Sequence, residues 1–371
     1  MRSRFAHAYR FALDNTLLMV AGALIALVWA NTEPASYARV SIALRFAVND
    51  VAMVFFFGLA VKEIVEAASP GGPLHSLRRA AVPILAAIGG MAGPALVFVG
   101  LAFAAGRPDV IRGWAIPCAT DIAFSYLIAR LIFGPSHPAV PFLLLLAIAD
   151  DAFGLALIAI VYPSGQMHLV YFAALVGIAC ALAWLLRRQG INNFWPYLLI
   201  PGAVSWAGFY VGGVHPALAL APIIPLLPRT LTLSAFEDWW STPVEAILFL
   251  FALTNAGVAV SSAGAVTWLV LAALAVGKPV GIISATWLAE RAGLRRPAGL
   301  SWRDLAVLGM TAAIGFTVAL FFATAAFDAG PNLDQAKLGA LLSVSAALLA
   351  FGAAKLLNVT RARVTTTFPA R

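Results

Sequence analysis

Twelve apolar runs divide this 371-residue chain, and they constrain its fold more than any other feature of the sequence. A run of about 20 apolar residues is long enough to cross ~30 Å of hydrocarbon as a helix. Nine of the runs are clear: Phe11–Ala30, Phe46–Val61, Ala80–Ala104, Pro141–Val161, Leu169–Leu186, Val244–Val260, Ala265–Leu288, Leu305–Phe327 and Ala336–Leu357. Three are interrupted or short: Gly113–Phe133, Tyr197–Tyr210 and Val214–Leu227. The pattern predicts an all-α polytopic membrane protein with about twelve transmembrane helices.

The composition excludes an ordinary soluble protein and indicates that the chain is in contact with a lipid bilayer. Hydrophobic residues make up 62% of the chain and charged residues only 11%, against about 25% charged in soluble domains. The net charge of +8 comes from basic residues in the gaps between apolar runs. Because these residues form no patch, we expect no nucleic-acid partner. We also expect no cofactor and no disulfide, since Cys118 and Cys180 both lie inside apolar runs.

The distribution of Lys and Arg predicts the orientation in the membrane. If both termini are cytoplasmic, the inside segments hold 18 basic residues and the outside gaps five. The run Phe11–Ala30 is as long as a spanning helix, so we interpret it as a retained first helix rather than a cleaved signal. We expect residues 1–371 to form a single transmembrane transporter domain, with repeat blocks at about 80–161 and 265–357.

Four charged residues lie deep inside the predicted spans: Asp121, Asp150, Asp151 and Lys278. Each costs about 2.5–3.5 kcal/mol at mid-membrane on insertion scales. An ion pair that only holds helices together accounts for Lys278 and one acid. Three acids and one base leave two acids without a basic partner, and these must be protonated, face water or bind a cation.

Two adjacent carboxylates in a low-dielectric site repel each other and therefore hold protons more tightly. Such a site can release protons when a cation arrives, and carboxylate oxygens suit hard cations such as Na⁺ or Li⁺. Side chains of successive helical residues point about 100° apart, so Asp150 and Asp151 can have different roles. The charges therefore predict an exchanger of a small cation and protons.

Two of the spans carry helix-interrupting residues near their centres. Pro117 and Thr120-Asp121 interrupt the fourth span, and Gly315 interrupts the eleventh between Thr311 and Thr317. These spans hold the same place in two three-span blocks, and discontinuous helices in corresponding positions point to a transport site. An ordinary kink is the alternative, since Gly and Pro are frequent in spanning helices.

At these residues the chain resembles the bacterial NhaA-type sodium/proton antiporter family, whose fold contains inverted repeats. The resemblance runs from about residue 45 to residue 357. The stretches that carry it are Gly113-Trp-Ala-Ile-Pro-Cys-Ala-Thr-Asp-Ile-Ala-Phe124, Leu146-Ala-Ile-Ala-Asp-Asp-Ala-Phe-Gly154, Asn255-Ala-Gly-Val258, Gly277-Lys-Pro-Val-Gly281 and Ile314-Gly-Phe-Thr317.

The resemblance implies twelve helices with inverted repeats, in which the discontinuous fourth and eleventh helices cross. It implies that Asp150 and Asp151 bind the cation and protons, with Asp151 the more direct ligand and Asp150 exchanging a salt bridge with Lys278. Asp121 and Thr120 would lie at the crossing, where Asp121 and Lys278 balance the helix-end charges. It further implies alternating access and electrogenic exchange of Na⁺ or Li⁺ for protons across the inner membrane.

The chain also departs from the family pattern. Ala60 stands where we expect an acid, and Glu237-Asp-Trp-Trp-Ser-Thr-Pro243 lacks the expected pair of histidines. His215 and Glu237 remain candidates for a pH response, and a structural turn is the alternative role for His215. The gap Asn31–Arg45 is shorter than the family pattern predicts. The resemblance implies a homodimer that forms through an extended hairpin at this place.

Two other functions fit part of the pattern. An intramembrane aspartyl protease would use Asp121 with one of the paired aspartates, but Ala147-Ile-Ala-Asp150 lacks the Gly-x-Gly-Asp of that chemistry and Lys278 has no role in it. A proton- or sodium-coupled solute symporter on a similar fold is the second alternative, which pocket size would decide. We favour a cation/proton exchanger, a secondary active transporter and not an enzyme.

Overall fold

The computed structural model describes the backbone of residues 2–75, 77–228 and 231–359, and side chains from residue 17 onward except 76–79 and 229–231. The C-terminal residues 360–371, predicted to be cytoplasmic, lie outside the described residues, as do Met1 and the side chains of residues 2–16. Within the described ranges the chain is helical and has no strand. Its α-helices are α1 (Arg2–Thr32), α2 (Pro34–Arg45), α3 (Met53–Ala68), α4 (Leu77–Ala104), α5 (Ile122–Phe133), α6 (Ala139–Val161), α7 (Leu169–Arg188), α8 (Phe194–Tyr197), α9 (Ala203–Gly212), α10 (Leu231–Asn255), α11 (Ala265–Ala272), α12 (Lys278–Arg291), α13 (Trp302–Ala312), α14 (Phe316–Ala326), α15 (Pro331–Leu342) and α16 (Ala346–Leu356).

Six continuous helical stretches of the described chain are long and apolar enough to cross a membrane. They are Pro34–Ala68, Ala80–Ala104, Ala139–Val161, Leu169–Arg188, Ala265–Arg291 and Pro331–Leu356. Two further pairs, Pro108–Cys118 with α5 and α13 with α14, pass the same test as bent pairs and bring the number to as many as eight. The all-α polytopic class is therefore confirmed, and the count of twelve stays a prediction.

The second span is longer than the sequence pattern indicates. The helix begins at Pro34 rather than near Phe46 and continues through a π-helical segment, Phe46–Ala52. Proline suits the first helical position because its missing N–H has no partner there in any case. Ser41 Oγ donates to the carbonyl of Thr254 (2.7 Å), so packing against α10 stabilises the early turns of this helix.

The predicted span Val214–Leu227 is not a regular helix. It contains only two short 3₁₀ segments, Pro216–Leu218 and Ile224–Leu226. The physical reason is a set of closely spaced prolines, which remove backbone donors and clash with the preceding turn. They are Pro216, Pro222, Pro225 and Pro228.

The chain divides into two compact units, each assembled from three separate stretches. Unit 1 comprises the described residues of 1–75, 151–263 and 320–338, and unit 2 those of 76–150, 264–319 and 339–359. The interpretation of residues 1–371 as a single domain stays a prediction.

In unit 1, α10 packs against α1, α2 and α3. The buried amide of Asn49 accepts from Asn255 Nδ2 at 2.8 Å, which pairs the π-helical segment with the end of α10. Trp206 Nε1 donates to the carbonyl of Asp50 (2.7 Å), a second contact of the same segment. One side chain of α9 thus donates a hydrogen bond to the backbone of the π-helical segment.

In unit 2, α4 packs along α12 with its backbone unusually close. Gly89 and Gly93 on α4 face Gly277 and Gly281, and a Cβ atom on Gly93 or Gly281 would overlap the opposing backbone. Small residues four apart allow this close approach of membrane helices. The crossing carries Lys278, the residue after Gly277, which is fully buried.

Candidate functional site

Two helix breaks of unit 2 contact each other directly. The first, Ala119–Asp121, separates the 3₁₀ segment Pro108–Cys118 from α5 with a bend of 56°, and the second, Ala313–Gly315, separates α13 from α14 with a bend of 52°. The amide of Asp121 donates to the carbonyl of Ile314 (2.7 Å). Each break therefore supplies a backbone group that the other needs inside an apolar environment.

Hydroxyl groups strengthen the contact between the two breaks. Thr120 Oγ1 donates to the carbonyl of Ala312 (3.2 Å), and Ser125 Oγ donates to that of Thr311 (2.9 Å). Both acceptors belong to the last turn of α13, whose carbonyls have no partner within their own helix. Side chains of α5 and of the preceding break thus donate hydrogen bonds to the free carbonyls at the C-terminal, negative end of α13.

Asp121 joins the N-termini of both half-helices. Its Oδ1 accepts from the amide of Phe124 in α5 (3.1 Å), and its Oδ2 accepts from the amide (3.2 Å) and hydroxyl of Thr317 in α14. The side chain is buried. A single carboxylate therefore lies between two positive helix ends, where the helix dipoles favour a negative charge.

Lys278 ties the first broken helix to α6 and α12. Its Nζ donates to Asp150 Oδ2 at 2.8 Å and to the carbonyl of Cys118, which ends the 3₁₀ segment before the first break. Lys278 is 0% exposed and Asp150 3% exposed. The ammonium group thus balances both a buried carboxylate and the negative end of a helix.

Asp150 and Asp151 differ in environment although they are neighbours on α6. Asp150 Oδ1 is buried and has no hydrogen-bond donor among the described residues, while its Oδ2 binds Lys278. Asp151 is half-buried, and helical geometry turns its side chain about 100° from that of Asp150. Asp150 Oδ1 is an acceptor that a proton or a hard cation can satisfy.

The two candidates for a pH response, His215 and Glu237, both lie in unit 1. The ring of His215 packs on Phe321 with ring centroids 4.7 Å apart, and its Nδ1 accepts from the amide of Ala217 (3.4 Å). Glu237 on α10 forms an ion pair with Lys62 on α3. Lys62 is buried and also pairs with Glu66 at 2.8 Å, so Glu237 belongs to a three-residue charge cluster.

Three residues that shape this region were not predicted from the sequence. Gly89 and Gly93 set the helix crossing that carries Lys278, and their spacing of four is the signal that could have revealed them. Ser343 bonds to the second break, at the amides of Gly315 and Phe316. A lone serine in an apolar run has no such signal, because its partners are 27 and 28 residues away along the chain.

Comparison with known proteins identifies the family of this chain. Residues 7–354 match the model of the family described as Na⁺/H⁺ antiporter 1. The chain is 45% identical to Na⁺/H⁺ antiporter NhaA 1 of Pelobacter propionicus, covering 94% of this chain and 97% of that protein. It is 44% identical to Na⁺/H⁺ antiporter NhaA of Desulfitobacterium hafniense, covering 96% and 97%. A third relative, Na⁺/H⁺ antiporter NhaA of Geobacter sulfurreducens, is 43% identical and covers 92% and 96%.

The match to the family model spans both helix breaks, the aspartates of α6 and Lys278. The identity also extends over nearly the whole length of each relative. The chain belongs to the Na⁺/H⁺ antiporter 1 family.

Proposed function

We propose that this protein exchanges Na⁺ or Li⁺ for protons across the bacterial inner membrane by alternating access. It is a secondary active transporter rather than an enzyme. The exchange is electrogenic, with more protons than cations moved in each cycle. Membership of the antiporter family and the names of its relatives support Na⁺ and protons as the transported ions.

The observation that carries the proposal is the buried pair of Lys278 and Asp150 with one carboxylate oxygen left over. Separating a buried ion pair leaves an uncompensated charge, which costs about 3–5 kcal/mol. A cation or proton that arrives at Asp150 supplies the missing positive charge. Lys278 and the incoming ion therefore compete for the same carboxylate, and this competition is the basis of exchange.

Asp151 is the more direct cation ligand in this proposal. Its half-buried position supports the role, because a transported ion needs a carboxylate that solvent can reach. Asp150, which is buried and paired with Lys278, senses the arrival of the ion through the salt bridge. Competition between Na⁺ and protons for the two carboxylates couples the two fluxes.

Asp121, Thr120 and Lys278 keep the helix breaks in place. A discontinuous helix leaves backbone groups unpaired, and in a membrane each such group costs several kcal/mol. Here the side chains of Thr120 and Asp121 and the ammonium group of Lys278 satisfy these groups. A few hydrogen bonds at the breaks replace a continuous ladder, which suits a segment that changes conformation during transport.

The hydrogen-bond and ion-pair partners of Asp121 and Asp150 argue against an intramembrane aspartyl protease. That chemistry needs two acids that share a proton, whereas Asp121 binds Thr317 and the start of α5, and Asp150 binds Lys278. The solute symporter has no specific observation in its favour.

We further propose that both termini are cytoplasmic and that two copies assemble as a homodimer.

Everted membrane vesicles with an imposed pH gradient and a pH-sensitive dye test the function. We expect addition of Na⁺ or Li⁺ to dissipate the gradient, while K⁺ has little effect. A control with vesicles that lack the protein gives the background. Absence of a Na⁺ and Li⁺ response above this background would overturn the proposal, and a response that needs an organic solute would favour the symporter.

A further inference from the structure

Ser343 lies in a short 3₁₀ segment, Ser343–Ser345, that separates α15 from α16. Its hydroxyl oxygen accepts from the amides of Gly315 (3.1 Å) and Phe316 (3.2 Å), at the second helix break. The hydroxyl itself donates to the carbonyl of Ala340 (2.6 Å). Ser343 is 1% exposed, so all three bonds form away from solvent.

The two half-helices obtain their N-terminal caps in different ways. The first amides of any helix have no carbonyl partner within that helix. The start of α5 has its own cap, because Asp121 precedes it and accepts from Phe124. The start of α14 follows Gly315, which has no side chain, so its cap must come from elsewhere in the fold.

Three consecutive amides of that second helix start therefore depend on distant residues. Ser343 accepts from Gly315 and Phe316, and Asp121 accepts from the next amide, that of Thr317. The same carboxylate of Asp121 also caps α5. Ser343 thus orients the helix end whose next amide binds a charged residue of the proposed site.

We propose that Ser343 is a positioning residue for cation exchange: it holds the N-terminus of α14 so that this helix end contributes a defined electrostatic potential beside Asp121. The inference rests on the proposed function. The charged side chain in direct contact with this helix end is Asp121, and the other buried charges described in unit 2 are the pair of Lys278 and Asp150 and the helix-capping Asp304.

Loss of the hydroxyl has a predictable electrostatic sign. The amides of Gly315 and Phe316 keep their positive partial charges but lose the oxygen that offsets them. A more positive potential weakens the binding of every cation, and protons are included. Above the acidic limb, where protons do not compete, the concentration of Na⁺ needed for half-maximal exchange should therefore rise. At Na⁺ concentrations below half-saturation, the acidic limb of the pH profile should move to lower pH.

The size of both effects follows from the strength of a helix-end interaction, about 0.3–1 kcal/mol. This corresponds to about a two- to fivefold increase in the half-maximal Na⁺ concentration and a shift of about 0.2–0.7 pH unit. Damage to the fold alone would lower the amount of protein and the maximal rate without this paired shift.

The experiment compares Ser343→Ala with the wild-type protein in everted vesicles over a range of Na⁺ concentrations and pH values. Ser345→Ala is the matched control, because Ser345 is exposed in the same 3₁₀ segment. It should leave both parameters at their wild-type values. Ser343→Thr keeps a hydroxyl group, so each of its shifts from the wild-type value should be at most half of that in Ser343→Ala.

Wild-type values of both parameters for Ser343→Ala would overturn the inference, provided that the wild-type protein itself responds to Na⁺. A wild-type protein without any response would instead refute the proposed function. If Ser343→Ala does not accumulate in the membrane, Ser343→Cys replaces it. Sulfur accepts hydrogen bonds weakly, so smaller shifts in the same directions are expected, and their absence would likewise overturn the inference.

Discussion

Lys278 Nζ lies 2.8 Å from Asp150 Oδ2, and neither side chain reaches solvent. The second contact of this ammonium group, with the carbonyl of Cys118, extends the relationship to the first broken helix. A charge on α6, a charge on α12 and the end of a half-helix are therefore coupled through one side chain.

The carboxylate of Asp151 is predicted to be indispensable for exchange but not for folding. Asp151→Asn should reduce Na⁺-driven dissipation of the pH gradient to the background of empty vesicles. Asparagine keeps the shape of the side chain and costs less to bury than a carboxylate, so the melting temperature in detergent should stay near that of the wild-type protein. Exchange at the wild-type rate by this variant would contradict the site assignment. Asp328→Asn is the control, because Asp328 is exposed in a loop and should keep full activity.

Lys278→Arg tests whether the buried ammonium group only balances charge. A guanidinium group keeps the positive charge but does not lose a proton in proteins. We expect exchange at a reduced rate, with a shifted pH range. The melting temperature should also fall, because Lys278 is 0% exposed and extra atoms in a packed site cost about 1–3 kcal/mol. Complete loss of exchange in a folded variant would show that deprotonation of Lys278 is required.

The glycine contact between α4 and α12 is predicted to set the position of Lys278. Gly93→Ala would force its new methyl group into the backbone at Gly277, so the melting temperature should fall by an amount equivalent to about 1–3 kcal/mol. Exchange should fall with it, because the crossing carries Lys278. Gly100→Ala on the same helix is the matched control, since a methyl group there meets open space. Equal melting temperatures for Gly93→Ala and Gly100→Ala would disprove the role of the crossing.

Competition between Na⁺ and protons predicts a bell-shaped dependence of the exchange rate on pH. At low pH the carboxylates are protonated and exclude Na⁺, and at high pH protons are scarce. A tenfold increase in Na⁺ should move the acidic limb down by up to about one pH unit, since each bound proton is replaced by one cation. The rates are measured by dye dequenching at two Na⁺ concentrations.

His215→Gln supplies the control for that prediction. His215 packs on Phe321 and bonds to the local amide of Ala217, so its replacement should leave the acidic limb nearly in place. A limb that ignores Na⁺ but moves in His215→Gln would indicate a separate pH sensor. Simple competition would then be the wrong account of this protein.

Much of the fold could be predicted from hydropathy because membrane insertion depends on local composition. The apolar runs identified the all-α membrane class, and the helix interruptions near Asp121 and Gly315 were predicted from residues inside their own spans. The prediction of a spanning helix at Val214–Leu227 was wrong. The segment's hydropathy is that of a spanning helix, but its prolines deny it the backbone hydrogen bonds of one.

By itself the sequence identified Asp121, Asp150, Asp151 and Lys278 as charges inside predicted spans, because each has a visible cost there. It also limited the partners of Lys278 to three aspartates. Only the tertiary structure decided that Lys278 binds Asp150 and that Asp121 caps both half-helices. The partners in Lys278–Asp150 and Asp121–Thr317 are 128 and 196 positions apart, and their geometry depends on close helix packing such as that of Gly93 with Gly277. Ser343 shows the same limit, since nothing near it in the chain predicts that it would cap another helix.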